Sequence, residues 1–258
     1  MRDAPRFDRL ARVYRWMEMF TFGPWLERCR CAFLSEMAGC RHAAVLGDGD
    51  GRFTAQLLRT NAKVEIDAVD ASGTMLHELL RRAGPDAARV HTFCADARAW
   101  LLENPPYDLV ATHFFLDCFR EDEMRAIAAK LHGALSAQGL WVVSEFAIPE
   151  GGFGRWVARP VVWLLYRAFG LLTGLRVRTL PDYAATLRGA GFAPVKQRSF
   201  LCGLLIAEVW RRKPEWLSVG SSTEMTAGEP EKDKSVPPAR YGSRTHYRDS
   251  CSRSWLLI

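Results

Sequence analysis

No stretch of this 258-residue chain runs for about twenty apolar residues without a charge or proline, so the sequence offers no membrane-spanning helix. The start is charged from Arg2 and lacks an apolar core, which predicts no secretory signal and a cytoplasmic protein. Seven cysteines, odd in number and unevenly spaced, argue against a disulfide framework and for a reducing compartment. The net charge of +6 is spread along the chain rather than gathered in one block, so no nucleic-acid partner is expected. Metal spacing is missing too. On a helix over 25–37, Cys29 and Cys31 would sit about 200° apart, and structural zinc prefers wider pairs than theirs or that of Cys40 and His42. These four read as buried small residues, and no metal is expected.

What the chain does have is Ala43-Ala44-Val45-Leu46-Gly47-Asp48-Gly49-Asp50-Gly51-Arg52-Phe53. A short apolar run suits a buried parallel strand, and a helical pattern follows the three glycines. Such a turn lets a ligand approach the backbone, with the N–H groups of the next helix facing the same crevice. The dinucleotide fingerprint needs glycine where Arg52 stands. A plain strand-to-helix turn with no ligand would also explain the triplet, but two further strand ends bear on it. Glu65–Asp70 reads as a strand ending in an acid, 19 residues after Gly51, about where an acid accepts hydrogen bonds from ribose hydroxyls. Phe93-Cys94-Ala95-Asp96-Ala97 ends a third strand in the same way.

The glycine pattern G-x-G-x-G resembles the first motif of class I S-adenosylmethionine-dependent methyltransferases. In that family an acid placed like Asp96 contacts the adenine amino group. The string Phe7-Asp8-Arg9-Leu10-Ala11-Arg12-Val13-Tyr14 further resembles the opening of the ubiquinone/menaquinone C-methyltransferase group, whose leading aromatic residues cover the cofactor. The resemblance spans residues 7–212. It implies S-adenosyl-L-methionine as cofactor, held by Tyr14, Gly47, Asp48, Gly49, Asp50, Gly51, Asp70, Ala71, Asp96, Ala97 and His113. One position departs from the pattern: the family's acid two residues before the first glycine is Val45 here. Asp48 or Asp50 is left to organise the methionine amino end.

Strands are predicted at 43–46, 64–69, 89–93, 108–112 and 139–145, with helices near 52–60, 74–83, 97–102 and 121–134. The alternation gives a parallel sheet with helices on both faces. Phe192–Ser199 and Leu204–Trp210 read as an antiparallel hairpin that closes it. The expected fold is the α/β, Rossmann-like, seven-stranded methyltransferase sheet. Residues 1–40 form a helical lead-in, 41–213 the domain, and 214–258 a tail whose aperiodic Ser, Gly, Pro and charges predict disorder.

The loop after the fourth strand lies under the reactive methyl group in the resembled family, which makes His113 and Asp117 the catalytic candidates. His113 can equally be a packed histidine, and Asp117 a helix cap. Asp108 is expected at the strand entrance. An insertion at about 150–178 is rich in aromatic and aliphatic residues, and with Trp16 and Phe20 it can wall a pocket for a small lipophilic acceptor. It can also fill core, or lie on a membrane surface as a peripheral contact. Two other function classes stay open: a catalytically idle S-adenosylmethionine-binding module and a nucleotide- or dinucleotide-dependent enzyme.

Overall fold

The computed structural model describes residues 23–148 and 181–213. Tyr14, the lead-in before residue 23, the segment 153–175 and the tail therefore lie outside the described residues. Helix α1 (Pro24–Arg30) leads through a 3-10 turn (Leu34–Met37) to β1 (His42–Leu46). Then come α2 (Arg52–Thr60), β2 (Glu65–Asp70), α3 (Gly73–Ala83), β3 (Val90–Cys94) and β4 (Tyr107–His113). The last described elements are α4 (Glu121–Ala134), β5 (Leu135–Phe146), α5 (Tyr183–Gly189), β6 (Phe192–Phe200) and β7 (Leu205–Arg212).

The seven strands form one sheet in the order β3-β2-β1-β4-β5-β7-β6. All pairs from β3 to β5 are parallel, while β7 runs antiparallel between β5 and β6. Strand order reverses at β1 and β4, and in such sheets the ligand crevice opens outside the carboxyl ends at that point.

Burial on both faces follows from the near-continuous apolar strands. In β1, Ala43 and Val45 join a core with α1, α2 and α3, through Leu26, Phe53, Leu57 and Leu79. Ala44 and Leu46 join the opposite core with Ile127 and Leu131 of α4, together with Trp141 of β5 and Trp210 of β7. Complete burial of side chains of this size contributes about 1.5–3 kcal/mol each, enough to fix strand register against a one-residue slip. Short caps set the helix starts: Ser72 Oγ accepts from Met75 N at 3.3 Å, and Asp182 Oδ1 accepts from Ala185 N at 2.8 Å.

Three sequence expectations are corrected. Residues 97–102 form a turn, not a helix. Ala99 N and Trp100 N reach Asp96 O, but Lys130 Nζ then takes the carbonyls of Ala97 (2.7 Å) and Trp100 (2.9 Å), which a growing helix would need. Trp100 meanwhile turns into the core beside Phe93 and Tyr107. The helix read over 25–37 ends at Arg30 and resumes as a 3-10 turn. β5 begins at Leu135 instead of 139, because Leu135 already pairs with Tyr107 before a register shift brings Leu140 opposite Leu109.

Candidate functional site

Three left-handed glycines shape the loop after β1, with φ of +69° at Gly47, +60° at Gly49 and +78° at Gly51. They have different neighbours. A Cβ on Gly47 would lie 2.2 Å from Phe115 Cδ2, and one on Gly51 would lie 2.8 Å from the Leu79 backbone. On Gly49 the nearest atom would be Met75 Sδ at 3.9 Å. Packing thus requires two of the glycines, and Gly49 alone has open space beside it.

The two acids between the glycines turn opposite ways. Asp48 folds back over the start of α2, where Oδ1 accepts from Phe53 N at 3.2 Å and Oδ2 from Thr54 N at 2.8 Å. Burial pushes its carboxyl up to about 6, against those hydrogen bonds and the positive charge of Arg30. Asp50 points outward to Arg82 (2.6 Å) and Arg52 (3.4 Å). The helix N–H groups that the sequence offered to a ligand are therefore met by Asp48, an internal anion.

Asp70 ends β2 half-buried. Its Oδ2 accepts from Gly49 N at 3.3 Å and its Oδ1 from Ser72 N at 2.9 Å, while burial raises its pKa. Ala71 next to it is exposed, and Ala97 is buried. Asp96, after β3, is gripped by the Arg98 guanidinium, which also reaches Glu123 Oε1 on α4 at 2.6 Å. The Arg98 hydrogen bonds hold the Asp96 carboxyl below its ordinary value.

At the carboxyl end of β4, His113 turns inward. Its ring packs 4.3 Å from that of Phe53, and Nδ1 lies 2.9 Å from Ser144 Oγ. Ser144 Oγ donates to Cys29 O at 3.3 Å, so Nδ1 carries the imidazole proton and Nε2 is a bare acceptor. Nε2 has no hydrogen-bond partner among the described residues. Burial and the nearby Arg30 charge push this histidine down to about 3, which keeps it neutral at ordinary pH.

Phe114 then bends the chain with φ +52°, and its ring pairs with Phe146 at 5.0 Å. Asp117 is half-buried in a 3-10 turn (Leu116–Cys118), where Oδ1 accepts the Cys118 thiol at 3.5 Å. It does not cap α4; there Arg120 N donates to Glu123 Oε2 at 3.0 Å. Asp108 accepts from Arg41 N (3.0 Å) and His42 N (3.3 Å) at the strand entrance, far along β4 from this rim.

Two groups of this rim are absent from the sequence reading. Glu145 is fully buried at the end of β5; Oε1 accepts from Phe115 N (3.0 Å) and Leu116 N (2.8 Å), and Oε2 has no partner among the described residues. Burial, reinforced by the Asp117 charge, raises its pKa well above the ordinary range. The signal for it was the polar pair Ser144-Glu145 closing a buried run of Trp141, Val142 and Val143. Arg30 is the other. It ends α1 with its guanidinium carbon 5.3 Å from the centre of the Phe114 ring, and its charge acts on both Asp48 and His113. Nothing in the periodicity of α1 marks it. Among the described residues, no group of three or more His, Cys, Asp or Glu could hold a metal ion, and no helix is long and apolar enough to cross a membrane.

Residues 44–139 match the family model described as a methyltransferase domain. No curated protein sequence matches the chain. Among solved structures, it is similar to an O-methyltransferase family protein from Burkholderia thailandensis, with 19% identity and a TM-score of 0.62 over 81% of this chain and 61% of that one. It is also similar to the mitomycin 7-O-methyltransferase MmcR, with 16% identity and a TM-score of 0.61 over 80% and 60% of the two chains. The S-adenosylmethionine-dependent methyltransferase SibL gives 19% identity and a TM-score of 0.59 over 83% and 64%. The chain thus spans about three fifths of the length of these proteins. The sheet has the seven-stranded, Rossmann-like fold of these methyltransferase structures, and the stretch from β1 into β5 is the part that matches the methyltransferase-domain model.

Proposed function

We propose that this chain is a class I S-adenosylmethionine-dependent methyltransferase acting on a small lipophilic molecule that carries an ionisable hydroxyl. Asp48 is the observation that carries the donor assignment. A dinucleotide enzyme would lay a pyrophosphate against the first helix N-terminus, and here a carboxylate already occupies that place. A cationic sulfonium nucleoside meets no such conflict. The residues fit it: Asp70 keeps further acceptor lone pairs for two ribose hydroxyls and Gly49 leaves the loop open, while Asp96 accepts from an adenine amino group once it gives up part of its hold on Arg98.

When bound, the donor supplies a methyl group already activated on sulfur, so the protein's part is position, exclusion of water and a place for a proton. Asp117 is the better proton acceptor of the two candidates. His113 is a weak base with its pKa near 3, whereas Asp117 is half-buried beside Glu145, whose bulk and buried carboxyl sit under the same turn. The half-buried pairs Phe114–Phe146 and Phe115–Phe119 favour an apolar acceptor, as do Trp156, Trp163 and Phe169 in the inserted segment. The O-methyltransferase relatives favour attack by oxygen. The opening string at 7–14 favours a ring carbon, and the two are told apart by the product's mass fragments.

Titration with S-adenosylhomocysteine tests the donor. Asp70→Ala is expected to weaken binding by about 1–3 kcal/mol, since two hydroxyls lose a charged acceptor. Absence of binding at millimolar ligand sinks the assignment. Labelled methyl transfer screened against quinols, phenols, fatty acids, polar amines, protein and RNA tests the acceptor. Turnover confined to polar amines or macromolecules rules out the lipophilic reading, and bound donor without any turnover points to an idle module.

A further inference from the structure

We infer that Arg98 is a latch on Asp96: an adenine amino group binds there only by displacing the Arg98 guanidinium onto Glu123 of α4. This rests on the donor reading above and goes beyond it, because it makes a side chain of the protein the donor's direct competitor and so a limit on donor affinity.

A carboxylate has about four lone-pair positions, and Arg98 places a donor at each of those on Asp96. Oδ1 accepts from Arg98 N and Nε, both at 2.9 Å, and Oδ2 accepts from Nε at 3.0 Å and from Nη2. These bonds hold the carboxyl below its ordinary value, so Asp96 is an ionised acceptor that a neutral amino group can use only by competition. Only the side chain is able to give way. Ala99 N and Trp100 N hold the turn to Asp96 O, and Lys130 Nζ holds it from α4 through the carbonyls of Ala97 and Trp100. Arg98 N therefore stays on Oδ1, and Oδ2 is the oxygen that the guanidinium can release. Glu123 is placed to receive it. Arg98 Nη1 already reaches Glu123 Oε1 at 2.6 Å, whereas the α4 cap uses Oε2, which accepts from Arg120 N at 3.0 Å. The Arg120 guanidinium stands further from Oε1, at 3.7 Å. Two anions thus share one planar guanidinium, and its transfer from Asp96 to Glu123 leaves no buried charge unpaired. The Arg98 and Asp96 side chains are 51% and 41% exposed, so water screens the pair and the donor can displace it at modest cost.

Two variants of opposite sign isolate the latch. 5′-Methylthioadenosine and its 6-deamino analogue share the ribose and the purine, and only the first has the amino group. Both are uncharged. Calorimetric titration of each into the full chain is the readout. Arg98→Met frees Asp96 and is expected to tighten methylthioadenosine roughly threefold to tenfold, with the deamino analogue changing less than about 1.5-fold. Glu123→Gln keeps an acceptor for the α4 cap but removes the second anion, and is expected to weaken methylthioadenosine about twofold to fivefold. Raising the salt from about 0.01 M to 1 M is expected to tighten methylthioadenosine on the wild type, a response that Arg98→Met loses. Each variant is first compared with the wild type by thermal melting, and Glu123→Gln with the wild-type salt series decides if Arg98→Met melts early. In Arg98→Met, a loss for both ligands, an equal gain for both, or no change in either overturns the latch and leaves the donor reading intact. A Glu123→Gln protein that binds methylthioadenosine as well as the wild type does removes Glu123 as the receiving group and overturns the inference as stated. If neither the wild type nor Arg98→Met binds S-adenosylhomocysteine, the donor reading itself fails, and the latch with it.

Discussion

The tips of β1, β2 and β3 and the tips of β4 and β5 share one rim of the sheet, yet their polar groups are finished differently. On the first side every carboxylate oxygen of Asp48, Asp70 and Asp96 has a donor, from Phe53, Thr54, Gly49, Ser72 or Arg98. On the second side His113 Nε2 and Glu145 Oε2 are buried without a partner among the described residues. An unmet buried polar atom costs about 1–3 kcal/mol; beside β1–β3 such atoms, Thr54 Oγ1 and Trp100 Nε1, lie next to the acids, whereas at β4–β5 they belong to the titratable groups themselves. Strain of that kind collects where chemistry is done, whereas a nucleoside cradle gains from being rigid before its ligand arrives. The difference agrees with the proposed division, in which the first side binds and the second holds the reacting groups.

The strongest way to break the first side is to spoil its packing. Gly51→Ala is expected to cost about 2–5 kcal/mol, from the left-handed φ together with overlap against the Leu79 backbone. Gly49→Ala has the φ penalty without the overlap and is expected to cost about 1–2 kcal/mol. Urea unfolding of the two variants measures both. Equal losses would mean that the loop, not its contact with α3, sets the stability of this side.

A smaller effect separates shape from charge on the second side. Glu145→Ala leaves the N–H groups of Phe115 and Leu116 unmet and is expected to cost about 2–4 kcal/mol. Glu145→Gln keeps an acceptor for both and is expected to stay within about 1 kcal/mol of the wild type, because burial raises the native carboxyl's pKa and so favours its neutral form. If the glutamine variant is as unstable as the alanine one, Glu145 is ionised in the folded protein and the contrast between the two sides is lost.

Much of the first side was legible in the sequence because its signals are local. Glycine spacing, an acid at a strand end and apolar alternation are all read within about ten residues. That is why β1, α2, β2 and the closing hairpin fall close to their expected places. The helix expected at 97–102 failed for a non-local reason: Lys130, thirty residues on, takes the carbonyls that the helix needed. Glu145 and Arg30 were missed in the same way. Their importance lies in what they meet across the sheet, the amides of Phe115 and Leu116 for one and the Phe114 ring for the other. Asp48 and Asp50 are the sharpest case. Two identical residues one position apart from each other's glycine differ only in whether α2 or Arg82 holds them.

That pair also gives the smallest predicted effect, which is a change in slope. The Asp48 carboxyl is raised to about 6 in the folded chain, against about 3.9 for an unperturbed aspartate. Below pH 4 both states hold the proton, and the native state has its full advantage from this group. Between about 4 and 6 the unfolded chain releases the proton while the folded one keeps it, so stability falls as pH rises. Above about 7 both states are ionised and the slope vanishes. Asp48→Asn cannot titrate and lacks this fall, whatever constant offset the lost charge at the helix start brings. Melting temperatures of the two proteins from pH 4 to 7.5 are therefore expected to shift in favour of the variant as pH rises, with the change complete by about pH 7. Asp50→Asn, made at the acid that Arg82 and Arg52 pair, is the control for removing a carboxylate from the same loop. A difference between wild type and Asp48→Asn that is flat with pH, or that moves the other way, would show that burial does not raise the Asp48 carboxyl, and the inner acid of the loop would lose its distinct role.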